Sequence, residues 1–421
     1  METISIIGVG YVGLPLAVEF SNFYKVTGFD LNPSRIEELN NFSDSTGEVE
    51  TEDLKSADNL KFSFDSEDLK GSDYYIVTVP TPITKSKKPD LEPLKSACNL
   101  LGGLISEGVT IIFESTVYPG LTEEICIPIL ERVSGLKLND DFDVGYSPER
   151  INPGDKSHRL VDINKIVSGS NEKAKRKVSS LYKTIINADV IEVNSIKVAE
   201  AAKIIENTQR DINIALMNEL SVIFDRLDID TKEVLDAAST KWNFLPFSPG
   251  LVGGHCISVD PYYLTFKAQK VGYEPDVVLS GRKINDSMSQ RVAERTLNLL
   301  RKKSSISSKT NILILGFTFK ENCPDVRNTK VIDIFKTLRR RNINVEIFDP
   351  EADSKEVKNL YQINLVKDEK KLKNFDAVII AVAHDKFKKM SLKKIKSFCK
   401  TNSVIFDVKS IFEKHEVDGR L

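Results

Sequence analysis

The stretch ISIIGVGYVGLPLAVEF, Ile4–Phe20, with KVTGFD, Lys25–Asp30, close behind it, decides how this chain is read. A short apolar strand leads into a turn with Gly8, Gly10 and Gly13; an apolar helix follows, and a second strand ends at Asp30. Strand, glycine turn, helix and strand in that order make a βαβ unit. Glycines at this spacing permit a tight turn and let the backbone through Tyr11 and Val12 approach a pyrophosphate at the helix N-terminus. A carboxylate at the end of the second strand accepts ribose hydroxyls and repels a 2′-phosphate. The unit therefore points to a dinucleotide, and Asp30 to NAD over NADP. Arg35 is the nearby cation that a 2′-phosphate would use, or else a surface residue of the next helix.

Further β-branched and aromatic runs follow at DYYIVTVP (73–80), TIIFESTV (110–117) and ADVIEV (188–193), separated by helical or looped stretches. Such alternation implies a mostly parallel sheet with helices on both faces. Near Ser195 the pattern changes: IKVAEAAKIIENTQRDINIALMNELSVIFDRL (196–227) keeps apolar residues at helical spacing without Gly or Pro, which predicts one long helix. The polar RKKSSISSKT (301–310) reads as a linker. Beyond it NILILGFTFK, INVEIFDP, FDAVIIAVA and SVIFDV are again short buried strands. The predicted architecture is α/β: two Rossmann-like doubly wound domains, 1–194 and 311–421, joined by a central helical domain, 195–300. The turn of the last domain has Gly316 but lacks the GxGxxG spacing, so it need not bind a dinucleotide in the same manner.

At 421 residues the chain exceeds one hydrophobic core, and its 41% hydrophobic and 29% charged residues are those of an ordinary soluble protein. A formal charge of -2 argues against a nucleic-acid partner. The lysine run KSKK, Lys85–Lys88, reads as a solvated face. Cys98, Cys126, Cys256, Cys323 and Cys399 are odd in number and contain no CxxC pair. That pattern fits a reducing, cytoplasmic setting without structural disulfides or a metal site. The apolar run Ile6–Val18 follows an acidic Glu2 and is broken by glycines, so it is not read as a targeting segment. No run is long and apolar enough to predict a membrane span.

Several segments carry candidate chemistry. VPTP (79–82) and ESTVYPG (114–120) follow strands of the first sheet, where Thr81, Ser115 and Thr116 either offer hydroxyls to a ligand or serve turn chemistry. SPERINPG (147–154) sets Glu149 and Arg150 in a proline-bounded loop. Lys203 and Asn207, four residues apart, share one helical face, and Ala199, Ala202, Ile204 and Ile205 give the lysine an apolar setting suited to general-base use. In LVGGHCISVDPYY (251–263), Gly253 and Gly254 allow close approach of a ligand to Cys256, and Asp260 is a candidate base or orienter. His255 invites a Cys/His dyad, against which stands the tendency of adjacent loop side chains to diverge.

Taken in order, GVGYVGLPLA, VPTP, ESTVYPG, SPER, AKxxxNT, GGHCxxxD and GFTFKENCPDVRNT resemble the nucleotide-sugar 6-dehydrogenase family over the whole chain. The resemblance implies an NAD-binding first domain, a central helix that carries dimerisation, and a last domain that closes over the nucleotide of the substrate. It places the family's nucleophilic cysteine on Cys256, its lysine and asparagine on Lys203 and Asn207, and its remaining catalytic groups on Asp260, Thr116 and Glu149. By the same resemblance Glu149, Arg150, Ile151, Lys203, Asn207, Arg210, Gly253, Phe319 and Lys320 meet the UDP-sugar. Gly8, Gly10, Tyr11, Val12, Gly13, Asp30, Arg35, Thr81, Thr116 and Arg327 meet NAD. Arg282 and Asn285 resemble substrate-loop and interdomain positions.

The block 237–275 is most similar to the bacterial UDP-N-acetylgalactosamine and UDP-N-acetylglucosamine 6-dehydrogenases of surface-polysaccharide synthesis, although Ser248 stands where relatives carry a basic residue. The expected activity is four-electron oxidation of a UDP-N-acetylhexosamine to its uronate by a cytoplasmic homodimer, without metal. UDP-glucose 6-dehydrogenase is the nearest alternative. A two-electron hydroxyacid dehydrogenase and a noncatalytic NAD and nucleotide-sugar sensor are the alternatives of other kinds.

Overall fold

The computed structural model describes residues 1–151, 158–304 and 306–421. The end of SPERINPG, 152–154, lies outside them. The described chain forms two compact units: Met1–Glu206 with Tyr262–Tyr273, and Asn207–Pro261 with Glu274–Leu421.

The first unit is built on an eight-stranded sheet of β1 (Thr3–Ile7), β2 (Lys25–Phe29), β3 (Leu60–Ser63), β4 (Tyr74–Val77), β5 (Thr110–Phe113), β6 (Asp143–Tyr146), β7 (Lys165–Gly169) and β8 (Val190–Glu192). Their order is β3-β2-β1-β4-β5-β6-β7-β8. The first six strands run parallel; β7 is antiparallel to β6, and β8 is parallel to β7. Chain order reverses between β1 and β4, so the crevice beyond the carboxyl ends of these two strands is the place where such sheets bind ligands. Ile4 and Ile6 of β1 pack with Leu16, Phe20, Val178 and Tyr182, while Val9 and Leu14 join Ile36, Leu39 and Leu54 in a second cluster.

The second unit holds five parallel strands, β9 (Asn311–Leu315), β10 (Asn344–Phe348), β11 (Phe375–Ile380), β12 (Cys399–Asp407) and β13 (Gly419–Arg420), in the order β10-β9-β11-β12-β13. Alternate residues serve opposite faces, as the pleat requires. Ile312 and Ile314 pack with Met288, Val292 and Ile334, whereas Leu313 and Leu315 pack with Phe387, Ile395 and Phe398. Burial on both faces is why these strands read as unbroken apolar runs.

Two long helices carry many of the remaining candidate residues. The predicted long helix is Ile196–Arg226. The second, Asp276–Lys303, runs three residues into the stretch read as a linker. The physical reason lies in its last turn: Arg301, Lys302 and Lys303 suit the negative end of a helix dipole, and Lys303 Nζ bonds Asp418 Oδ1 at 2.5 Å and the Ser403 carbonyl at 2.8 Å.

Candidate active site

At the carboxyl edge of β1, Gly8 adopts φ +98°, and its N–H donates to the Phe29 carbonyl at 2.8 Å. A Cβ on Gly13 would stand 1.9 Å from the Gly8 carbonyl oxygen and 2.5 Å from Thr78 Oγ1, so only glycine lets the helix Gly13–Ser21 start here. A Cβ on Gly10 would meet nothing within 4 Å, which leaves the backbone face of the turn open to a phosphate. Asp30 is half-buried at the end of β2; its carboxylate accepts the Val9 N–H at 3.3 Å and the Asn32 N–H at 2.9 Å. Tyr11 and Val12 are half-buried beside them. This cradle fits a dinucleotide, and the Asp30 carboxylate stands at its edge, at the end of β2.

Arg35 is not a surface residue. It is buried, with Nε on the Val9 carbonyl at 3.0 Å, Nη1 on Glu38 at 3.0 Å and Nη2 on Asp44 at 2.8 Å. Burial pushes the Asp44 carboxyl up, yet hydrogen bonds from Thr46 and Arg35 win and hold it below the ordinary aspartate range. Arg35 thus braces the turn through the Val9 carbonyl and pairs with two carboxylates.

Thr81 and Thr116 are half-buried at the carboxyl ends of β4 and β5. Ser115 turns inward, its hydroxyl donating to the Val79 carbonyl at 2.7 Å, so its part is turn chemistry. The ESTVYPG turn is held by a residue that sequence reading passed over: buried Glu200 of the long helix accepts the N–H groups of Gly120, at 2.5 Å, and Thr122, at 3.0 Å.

Glu149 is buried and fully engaged. Its Oε1 accepts the N–H groups of Arg150 at 2.6 Å and Ile151 at 2.7 Å, and its Oε2 accepts Lys165 Nζ at 2.9 Å. Lys165 also reaches Glu114 Oε2 at 3.0 Å, and Tyr182 O–H donates to Glu114 Oε1. Arg150 bonds Glu206 at 2.8 Å, and Ile151 packs against the core. One buried ammonium faces two buried carboxylates. Burial raises both, but the Lys165 charge and two backbone N–H groups hold Glu149 below the ordinary range, whereas burial pushes Glu114 up to about 7.

A carboxyl whose folded pKa is raised stabilises the fold most below its unfolded value and loses that contribution as pH rises through the folded one. Between pH 4.5 and about 7 the Glu114 contribution accordingly falls by about 3 kcal/mol. Glu114→Gln is expected to abolish this fall, so the variant gains melting temperature relative to the parent between pH 5 and pH 8, measured by calorimetry. A difference independent of pH would refute it.

In the second unit, Cys256 is half-buried in a tight turn whose carbonyl, that of Cys256 itself, accepts the N–H groups of Val259 at 3.0 Å and Asp260 at 2.8 Å. Asp260 opens the helix Asp260–Lys270, and its Oδ2 accepts Asn207 Nδ2 at 2.6 Å. Asn207, 53 residues before Asp260, is thereby brought to the turn that holds Cys256 and Asp260. Lys203 stands one helical turn before Asn207; the two are 7% and 5% exposed. The Lys203 ammonium makes no ion pair or hydrogen bond to another described residue. Arg210, farther along the same helix, is exposed.

The cysteine loop is pinned from three sides. Gly254 has φ +84°, and a Cβ there would stand 2.7 Å from the Phe319 ring; a Cβ on Gly253 would stand 2.7 Å from the Asn328 carbonyl. Gly250 exchanges two bonds with the Asn218 amide, N–H to Oδ1 at 2.9 Å and carbonyl from Nδ2 at 3.0 Å. His255 does not turn to the thiol: its Nδ1 lies 3.5 Å from Asp325 Oδ2, and its ring meets Phe319 edge-on. Burial, helped by the Arg327 charge, lowers the His255 pKa to about 4. Arg327 pairs with both Asp325 oxygens, at 3.0 and 2.8 Å, and Lys320 and Phe319 are half-buried in the loop before it.

Arg282 and Asn285 do not lie in a substrate loop. Arg282 is buried with Nη1 2.5 Å from Asp211 and Nη2 2.7 Å from Asp286, and Asn285 joins Asp211 at 2.7 Å to Asn218 at 2.8 Å. These side chains tie the two long helices to the clamp on Gly250.

Three family models match the chain: the NAD binding domain of the UDP-glucose/GDP-mannose dehydrogenase family over residues 2–186, its central domain over 197–287, and its UDP binding domain over 313–414. UDP-N-acetyl-D-glucosamine 6-dehydrogenase of Salmonella typhi is 53% identical over 99% of this chain and 98% of its own length. The protein so named from Pseudomonas aeruginosa is 51% identical over 99% of each. Among solved structures, UDP-D-ManNAc dehydrogenase of Pyrococcus horikoshii is similar with a TM-score of 0.89 at 30% identity, covering 98% of this chain and 96% of that one.

Proposed function

The chain belongs to the UDP-glucose/GDP-mannose dehydrogenase family, an NAD-dependent dehydrogenase by that membership, and we propose that it oxidises the C6 hydroxyl of a UDP-N-acetylhexosamine, UDP-GlcNAc or UDP-GalNAc, to the uronate through a covalent intermediate on Cys256. Two relatives above half identity over nearly the full chain, both named for UDP-N-acetyl-D-glucosamine, support the sugar. The observation that carries the chemistry is the Asn207–Asp260 bond, with the Asp260 N–H on the Cys256 carbonyl.

Bound NAD supplies hydride acceptance, twice for each alcohol converted to acid. Gly8, Gly10, Gly13 and Asp30 would hold it. Lys203, or a water held by Asp260, takes the proton of the C6 hydroxyl as hydride leaves its carbon. The Cys256 thiol then adds across the resulting aldehyde, which forms a thiohemiacetal and keeps the aldehyde from escaping. Loss of the second hydride, with the hydroxyl proton passing to the base, leaves a thioester. Lys203 and Asn207 stabilise the oxygen that carries developing negative charge. Water, deprotonated with the help of Asp260, cleaves the carbon–sulfur bond and returns the thiol with the uronate. Glu149, whose oxygens are committed to Lys165 and two N–H groups, serves this reading as the anchor of the Arg150–Ile151 segment, and Thr116 as a hydroxyl at the adjacent edge.

The same reading makes the enzyme a homodimer. Val198, Ile205, Leu216 and Ile223 are exposed on the long helix, spaced seven, eleven and seven residues apart, so they return to one side of it. We place it in the cytoplasm as a source of uronate for surface polysaccharide. No disulfide joins its described cysteines, and no described helix is long and apolar enough to cross a membrane.

NADH formation assayed in parallel with UDP-GlcNAc, UDP-GalNAc, UDP-glucose and GDP-mannose, on a preparation sized by sedimentation velocity, is expected to favour an N-acetylated sugar with two NADH per uronate from a dimer. Preference for UDP-glucose would move the enzyme to the alternative activity. One NADH per substrate would make it a two-electron dehydrogenase, and binding without turnover a sensor.

A further inference from the structure

The loop Thr318–Asn322, which carries Phe319 and Lys320, contains no helix or strand, so something else must fix its shape. His384, fully buried just beyond β11, touches it at both ends. His384 Nδ1 accepts the Asn322 N–H at 3.0 Å, which places the ring proton on Nε2. Nε2 lies 3.1 Å from Asp349 Oδ2 and 3.1 Å from Thr318 Oγ1. The Thr318 hydroxyl donates to the Lys320 carbonyl at 2.8 Å, and Asn322, at φ +53°, accepts the Asp385 N–H at 2.9 Å. Asp349 is fixed in turn by the N–H groups of Phe317, Thr318, Glu351 and Ala352 at 2.5 to 3.1 Å. One imidazole therefore bonds both ends of a five-residue segment, whose middle is held by the Phe319 N–H on the Asp325 carbonyl at 3.1 Å, with the Phe319 ring laid against Gly254 of the cysteine loop.

We propose that His384 is a positioning residue for UDP: it holds the Thr318–Asn322 backbone in the form in which Lys320 meets the nucleotide. The inference rests on the reading of this domain as the UDP site. Its chemistry separates the two ring nitrogens. Asparagine keeps an acceptor where Nδ1 stands and so keeps the Asn322 bond; glutamine places its amide nearer Nε2 and gives that bond up. Thr318→Val removes the hydroxyl bridge with little change of volume, a second probe should a His384 variant not fold.

Titration calorimetry of the full-length protein with UDP, and separately with NADH, tests this. His384→Gln is expected to weaken UDP about ten-fold, the loss of one good hydrogen bond's worth of preorganisation. Thr318→Val is expected to weaken it by a comparable factor, and His384→Asn to stay within about three-fold of the parent, with NADH affinity unchanged in all. Parental UDP affinity in His384→Gln or in Thr318→Val overturns the positioning role, as does an equal loss in Asn and Gln variants. A parent protein that binds NADH but no UDP overturns the UDP reading itself, and this role with it.

Discussion

Cys256→Ser is expected to lower steady-state uronate formation by roughly 10³-fold or more, the scale on which removal of an enzymic nucleophile is felt. The reason is chemical, since the loop that carries the residue is pinned by contacts the substitution leaves alone: Gly254 under Phe319, Gly250 on Asn218, and the Cys256 carbonyl on two N–H groups. Oxygen replaces sulfur at nearly equal volume, but a hydroxyl adds poorly to an aldehyde without a strong base. The first hydride does not need the sulfur. Rapid-mixing measurements of NADH absorbance are therefore expected to show at most one equivalent per chain, followed by arrest with aldehyde present. A serine variant that still forms acid at more than about a tenth of the parental rate, against the loss expected for a nucleophile, would leave the covalent route without support.

Lys203→Met is expected to combine a large loss of activity with no loss of stability. A base and oxyanion partner is worth about 10² to 10⁴ in kcat. Yet this lysine is 7% exposed and pairs with no described side chain, so its removal orphans no partner, and methionine fills the same apolar path. The melting temperature should hold or rise by about 1 °C, the shift that roughly 1 kcal/mol produces in a chain of 421 residues. A variant that melts far below the parent would show Lys203 to be structural, and one with parental kcat would remove it from the chemistry.

How much of this was legible in the sequence depends on how local the deciding physics is. The Gly8–Gly13 turn was legible because its requirement, a positive φ and room for one carbonyl where a Cβ would stand, is met within six residues. Strands buried on both faces, such as β9 and β11, announced themselves as apolar runs. The strands β6, DVGY, and β7, KIVSG, did not: each is short and contains glycine, and the reversal of direction between them is settled by pairing across the sheet.

Side chains followed the same division. Cys256 and Asp260 share one turn and read as a pair, whereas the part played by Lys165 depends on Glu114, 51 residues away, and on Glu149, 16 away. Arg282 looked like a ligand contact and is an internal ion pair because Asp211, 71 residues earlier, lies beside it. Charge in a sequence carries no mark of burial. His384 had one visible signal, a lone histidine directly after an apolar strand, and that signal gains its meaning only from the loop packed above it.

Gly8 and Gly316 open the same turn twice. Each has positive φ, and each donates its N–H to a phenylalanine carbonyl on the neighbouring strand, at 2.8 and 2.9 Å. The carboxylates that follow have parted ways: Asp30 stays half-buried with two N–H donors, while Asp349 is buried beneath four N–H donors and an imidazole. The same turn is thus followed in one unit by a carboxylate left half-exposed and in the other by one whose oxygens are taken up by internal bonds. A ribose approaching the second turn as one would approach the first would meet a carboxylate with no lone pair to spare, because four N–H groups and His384 already occupy Asp349.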